Sequence, residues 1–270
     1  MCFHKKDIID FDQNNRQIKQ HLYKYYPLED YNLKVFSNQE IFFTKPHACN
    51  DSFDVSEKLI DPYPEFRRRV GWNEQMRFGL GLHGIFSLTE AENVKNSRMW
   101  SLYANNYNGF AIEFNEAQFT AFDYWMVHAI PVLYRDAPLD LDDFSLQIKV
   151  RNEQFVLENI FSDIKLKDRF FECLHLIKDK SIWEEENEWR MIIGNLDNQT
   201  HKLLQLRNHP DGYYMPLKDG AYKSLFIGYR VPSLKQQTLT EIAVYRGLDV
   251  FMVEPRIINN HWDMEIIQIA

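Results

Sequence analysis

The sequence predicts an α+β protein in which a mixed, mostly antiparallel sheet is surrounded by helices. Three observations carry that expectation: β-prone runs recur along the chain, apolar residues at helical spacing separate them, and the two kinds of segment follow one another without strict βαβ alternation.

The first such group lies at Tyr23 to Thr44. Tyr23 to Tyr26 reads as a strand, Tyr31, Val35 and Phe36 fall at helical spacing after Pro27, and Ile41-Phe42-Phe43-Thr44 is β-prone. Prolines and glycines interrupt Asp54 to Gly81, so short helices or an ordered loop are expected there. Ile85 to Leu88 reads as the next strand. Met99, Leu102 and Tyr103 recur at i, i+3 and i+4, and Gly109 ends that helix. Phe110, Ile112 and Phe114 then alternate in a strand whose opposite face carries Ala111, Glu113 and Asn115. Ile130 to Tyr134 reads as a strand, and residues 141–180 as a mostly helical insertion. Strands are expected again at Trp189 to Ile193, Leu225 to Gly228, Leu248 to Val253 and Met264 to Ile269, with a helix near Leu234 to Arg246.

With 270 residues and 45% hydrophobic content, the chain can bury a large core. One domain is expected, preceded by an extension over residues 1–20. The aromatic share of 15% is spread from Phe3 to Trp262, which leaves no stretch with the composition of a disordered tail. Met1 to Arg16 lacks the apolar core of a secretory signal, and no window reaches the roughly 20 apolar residues of a membrane span. Cys2, Cys49 and Cys173 are odd in number and far apart, which speaks against a disulfide framework or a cysteine zinc site. A cytoplasmic protein is expected. The formal charge of −8 disfavours non-specific binding to nucleic acid. Arg67-Arg68-Arg69, the densest basic run, has two readings, a phosphate patch and the more common solvated helix face.

Phosphate-loop, dinucleotide-fingerprint, nucleophile-elbow and H-E-x-x-H signatures are missing. His47 with Asn50, Asp51 and Asp54 resembles a metal cluster, but Asn-Asp-Ser before Phe53 is equally a turn signal, and a turn over Asn50 to Asp54 with Phe53 buried is expected. The richest stretch runs from Trp183 through three glutamates and Asn187 to Glu188-Trp189-Arg190. In an extended chain Glu186, Glu188 and Arg190 share one face. Two carboxylates so placed can divide labour, one bonding a substrate hydroxyl and one steering a nucleophile, with Arg190 holding their charge. The bland alternative is a solvated acidic turn.

These residues resemble a known family. Lys180, Trp183, Glu186 and Glu188-Trp189-Arg190 are similar to the terminal E-x-E-W-R hallmark of the domain-of-unknown-function 2971 family. Leu22-Tyr23-Lys24-Tyr25, Asn50-Asp51-Ser52-Phe53-Asp54, Phe86-Ser87, Met99-Trp100-Ser101 with Tyr103-Ala104, and Gly109 with Ile112-Glu113-Phe114 resemble its other motifs in order. The sequence departs from the pattern at Tyr26, Ser52, Ile85 and Leu102, where the family has arginine, proline, cysteine and histidine. Trp100, Tyr103, Trp183 and Trp189 also read as core side chains, and Glu113 as the outward residue of an edge strand.

The E-x-E ending is similar to that of ADP-ribosyltransferases as well. That resemblance implies NAD as substrate, with Tyr23, Lys24 and Tyr25 meeting the dinucleotide, Ser87 and Thr89 on the middle strand, and Tyr103 nearby. Glu188 would stabilise the charge that develops as nicotinamide leaves, Glu186 would orient the acceptor, and Arg190 would hold the pair. Family resemblance further implies phage defence or a toxin–antitoxin system, with a protein or nucleic-acid target and a regulatory partner such as an antitoxin. The alternatives are a non-enzymatic binding or regulatory module and a metal-dependent nuclease built on Asp51, Asp54, Glu186 and Glu188.

Overall fold

The structure, a computed structural model, describes residues 21–49, 83–92, 94–115, 129–136, 146–151, 154–159, 175–194, 198–258 and 261–270. The expected turn at Asn50 to Asp54, the residue 1–20 extension and the arginine run lie outside them.

In chain order the elements are strand β1 (His21–Pro27), helix α1 (Asp30–Asn38), β2 (Glu40–Thr44), β3 (Gly84–Ala91), α2 (Ser97–Tyr103) and β4 (Gly109–Phe114). Short strands β5 (Ala129–Pro131) and β6 (Leu133–Arg135) follow, then β7 (Leu146–Arg151), β8 (Gln154–Asn159), β9 (Ile177–Asp179), α3 (Lys180–Trp183) and β10 (Glu188–Ile193). The chain continues with α4 (Asn198–Leu203), β11 (Arg207–His209), β12 (Gly212–Pro216), β13 (Tyr222–Gly228), α5 (Ser233–Tyr245), β14 (Asp249–Ile258) and β15 (His261–Gln268). The α+β class is as the sequence predicts. Two compact units divide these elements, one within Phe43–Phe86 and Met126–Tyr214, the other within Ile18–Phe42, Ser87–Trp125 and Met215–Ala270.

The second unit is a mixed, mostly antiparallel sheet. β1 pairs antiparallel with β4 and with the end of β3, β4 pairs antiparallel with β13, β13 runs parallel to β14, and β15 returns antiparallel. β4 is thus interior, which corrects the edge-strand reading of Glu113. Both faces of β1 are buried because alternate residues serve different helices. Tyr26 stacks on Phe110, and Phe36 of α1 lies against Phe110 and Tyr222. On the other face Tyr23, Tyr25, Ala111, Phe226 and Val253 form a core with Met99 and Trp100 of α2. Asn96 caps α2 by accepting from the backbone N–H groups of Arg98 (3.0 Å) and Met99 (3.3 Å). Gly109 follows because a Cβ there would collide with the Tyr26 carbonyl oxygen.

In the first unit β10 is buried along its whole length and pairs antiparallel with β5, Arg190 standing opposite Ile130. β6 runs parallel to β9, with Tyr134 opposite Lys178. β11 and β12 form a hairpin, and Thr44 of β2 pairs with Ile85 of β3. Two expectations need correction here. The strand foreseen over Ile130 to Tyr134 breaks at Val132, whose N–H donates to the Glu188 carbonyl before the chain turns to pair with β9. Within residues 141–180 the described segments 146–151, 154–159 and 177–179 are strands and not helix, because β7 and β8 pair as an antiparallel hairpin and β9 is extended. The apolar–polar alternation of Leu146-Gln-Ile-Lys-Val-Arg has the period of a strand, and its β-branched residues favour one.

Candidate functional site

Strand β10 and the turn before it build the site. Asp179 ends β9 and caps α3, its carboxylate accepting from Ser181 N (2.8 Å) and Ser181 Oγ (2.6 Å). These bonds, the hydroxyl first, hold the Asp179 carboxyl below the usual carboxylate range. One turn of α3 carries Trp183 back over Lys178, whose Nζ sits 4.4 Å from the ring centroid. Glu184–Glu186 then form a 3-10 turn, and Asn187 reverses the chain with φ of 47°, a left-handed conformation that asparagine tolerates well.

Glu186 therefore does not lie on the strand, contrary to the expectation that three extended residues share one face. Glu188 and Arg190 do alternate on β10. The carboxylates nevertheless meet. Lys178 Nζ donates to Glu186 Oε2 at 3.0 Å and to Glu188 Oε2 at 2.9 Å. Arg190 Nε donates to Glu188 Oε1 at 2.8 Å, Nη2 to Glu188 Oε2 at 3.1 Å, and Nη1 to the His175 carbonyl at 2.7 Å. The Tyr134 hydroxyl accepts from the Glu188 backbone N–H at 2.8 Å, and burial pushes that phenol above its usual range.

All four charges are nearly dry, with exposures of 6% for Lys178, 3% for Glu186, 6% for Glu188 and 1% for Arg190. Two cations and two anions sum to zero. Removing one partner of such a buried pair commonly costs about 3–5 kcal/mol, while the intact pair contributes little net stability because desolvation offsets attraction. Beside these charges, His83 and His175 lie with ring centroids 4.6 Å apart.

The residues expected to contact a dinucleotide all belong to the other unit. Tyr23 and Tyr25 are core side chains, 3% and 4% exposed, and the Tyr25 hydroxyl donates to the Val94 carbonyl at 3.4 Å. Burial pushes both phenols above their usual range. Tyr103 packs against the same core, whereas Lys24 and Ser87 are partly buried outside it. Glu113, buried on β4, pairs with Lys223 and with His21 Nδ1 (2.9 Å). Trp100 is fully buried, its indole N–H donating to the Val94 carbonyl at 2.7 Å, which bears out the core reading.

Sequence reasoning missed Lys178, His175 and Tyr134. It singled out Lys180, which is half exposed and stands 3.8 Å from Glu184 at helical i, i+4 spacing. The available signal was Lys178 between Ile177 and Asp179, a cation in a short β-prone run five residues before Trp183.

Fold and site together define an α+β protein carrying a buried, charge-balanced quartet of two glutamates, a lysine and an arginine. Residues 99–191 match the family described as "Protein of unknown function (DUF2971)", so the resemblance noted in the motifs holds over this stretch. The match contains the Met99–Ala104, Gly109–Phe114 and Lys180–Arg190 motifs, while the motifs before Met99 precede it. No curated protein and no solved structure matches the chain.

Proposed function

We propose that the chain is an ADP-ribosyltransferase-like enzyme that consumes NAD in a bacterial phage-defence or toxin–antitoxin setting, with Glu188 as the principal charged group. One observation carries this reading: the carboxylates of the E-x-E pair converge on a single ammonium, with Glu188 oriented by Arg190. In the reaction the bond between ribose C1′ and the nicotinamide nitrogen breaks, its electron pair leaving with neutral nicotinamide. The acceptor then attacks C1′ and loses a proton. Glu188 offsets the positive charge developing on the ribose, and Glu186 takes up or steers the acceptor. Because both carboxylates are dry, NAD reaches them only after the residues around the quartet rearrange. The setting and a neutralising partner rest on the family resemblance.

A second reading, a non-enzymatic binding or regulatory module, is favoured by the engagement of both Glu188 oxygens and by the core positions of Tyr23 and Tyr25. In it the quartet is a polar core. The nuclease reading is weaker, because Lys178 and Arg190 already neutralise the two glutamates that would attract a cation. Asp51 and Asp54 lie outside the described residues.

Glu188→Gln separates the first two readings. The substitution keeps the shape of the side chain and removes its charge, so nicotinamide release should fall by about a hundredfold or more if Glu188 stabilises the transition state. Thermal unfolding measured in parallel identifies a variant that has merely lost its fold. Wild-type protein that consumes no NAD, with cell extract supplied as acceptor, removes the enzymatic reading.

A further inference from the structure

We propose that Lys178 is the positioning residue of this site, the group that sets the two carboxylates at a common point and keeps them there. The inference rests on the NAD-consuming reading and adds to it a residue that the E-x-E motif does not contain.

Three observations carry it. A single ammonium bonds one oxygen of each carboxylate, at 3.0 and 2.9 Å, so the spacing between Glu186 and Glu188 is the spacing their shared donor allows. The two glutamates come from different local structures, a 3-10 turn and a strand, separated by the left-handed Asn187. Backbone periodicity therefore does not align them, and side-chain bonding must. Finally, the ammonium is itself confined from two sides. β9 sets its backbone by pairing with β6, and the Trp183 ring lies 4.4 Å from Nζ. Lysine carries three donors on one nitrogen, which suits bridging two acceptors that a planar guanidinium would grip from one side.

Charge balance predicts the effect of removing the bridge. With Lys178 replaced by methionine, two neighbouring carboxylates share the dry site with one guanidinium, and like charges so close favour binding a proton. The folded variant then holds a proton that its unfolded chain lacks at neutral pH, so it gains stability relative to wild type as the pH falls.

The experiment compares full-length wild type, Lys178→Met, Lys178→Arg and the charge-balanced double variant Lys178→Met with Glu186→Gln. Nicotinamide release from NAD gives kcat and KM separately, and thermal unfolding is followed from pH 7 to pH 5. Lys178→Met should lower kcat about tenfold to a hundredfold with KM for NAD little changed, as expected when an interaction realised in the transition state is lost. Its deficit in unfolding temperature should narrow toward pH 5. Lys178→Arg, which keeps the charge, should retain more turnover than Lys178→Met. The double variant should fold even where the single variant does not, and its deficit should not vary with pH. An unfolding deficit independent of pH in Lys178→Met overturns the inference, as does a double variant less stable than the single one, or Lys178→Arg no more active than Lys178→Met. Wild-type protein that releases no nicotinamide overturns the enzymatic reading, and with it the contribution of Lys178 to turnover. The pH-dependent deficit then still decides whether Lys178 holds the carboxylates together.

Discussion

The imidazole of His175 is fully buried, and neither ring nitrogen finds a hydrogen-bond partner among the described residues. Burial, the neighbouring His83 ring and the Arg190 guanidinium, in that order, hold its pKa well below the ordinary histidine value. Folded His175 is therefore neutral at a pH where the unfolded chain already binds a proton. Its neutrality costs nothing above about pH 6.5, the unfolded value, and stability is lost as the pH falls below that value. The limiting slope for one such group is about 1.4 kcal/mol per pH unit. His175→Gln should flatten this limb of the stability profile, as read by denaturant unfolding at pH 7, 6 and 5. An unchanged slope would assign the acid sensitivity to another group. At the same scale, Glu188 and Arg190 were legible as a pair from their spacing, because alternation along a strand is a local property. Lys178 was missed because its one local signal, a place beside Ile177 in a short β-prone run, does not by itself tell a buried lysine from the exposed Lys180 two positions on.

At the scale of elements, the strands around Tyr23 to Tyr26, Ile41 to Thr44, Ile85 to Leu88, Phe110 to Phe114 and Trp189 to Ile193 were readable, as was α5 near Leu234 to Arg246, whereas β8 and the aromatic β12 were not. The failures have separate causes. Residues 146–151 alternate with the period of a strand, but the run is only six residues long and lies inside the 141–180 stretch that reads as a mostly helical insertion. The turn before β10 depends on one left-handed residue, and an asparagine in a run of glutamates does not announce a positive φ. Helix α2 shows the opposite case, since Asn96 is a good cap by type and its side chain does accept from two backbone N–H groups. Asn96→Ala should cost about 1 kcal/mol, measured as a shift in the urea midpoint at constant m-value. A neutral substitution would mean that packing of Met99 and Trp100 holds α2 in place without the cap.

For the whole molecule, the net charge of −8 remains the broadest constraint on partners. Without a concentrated basic surface such a chain repels polyphosphate, so it should show no salt-dependent retention of random-sequence duplex DNA at physiological ionic strength in a mobility-shift assay. Robust retention would redirect attention to the arginine run. None of the described helices is long and apolar enough to cross a membrane. The sequence by itself determined the α+β class, the order of most strands, the E-x-E spacing and the family resemblance, because periodicity, turn chemistry and motif order are properties of short windows. Tertiary structure alone decided that Lys178 rather than Lys180 bridges the glutamates, and that Tyr23 and Tyr25 face a hydrophobic core. Those outcomes depend on burial and on which strands pair, and pairing joins segments such as β1 and β4 that local patterns describe separately.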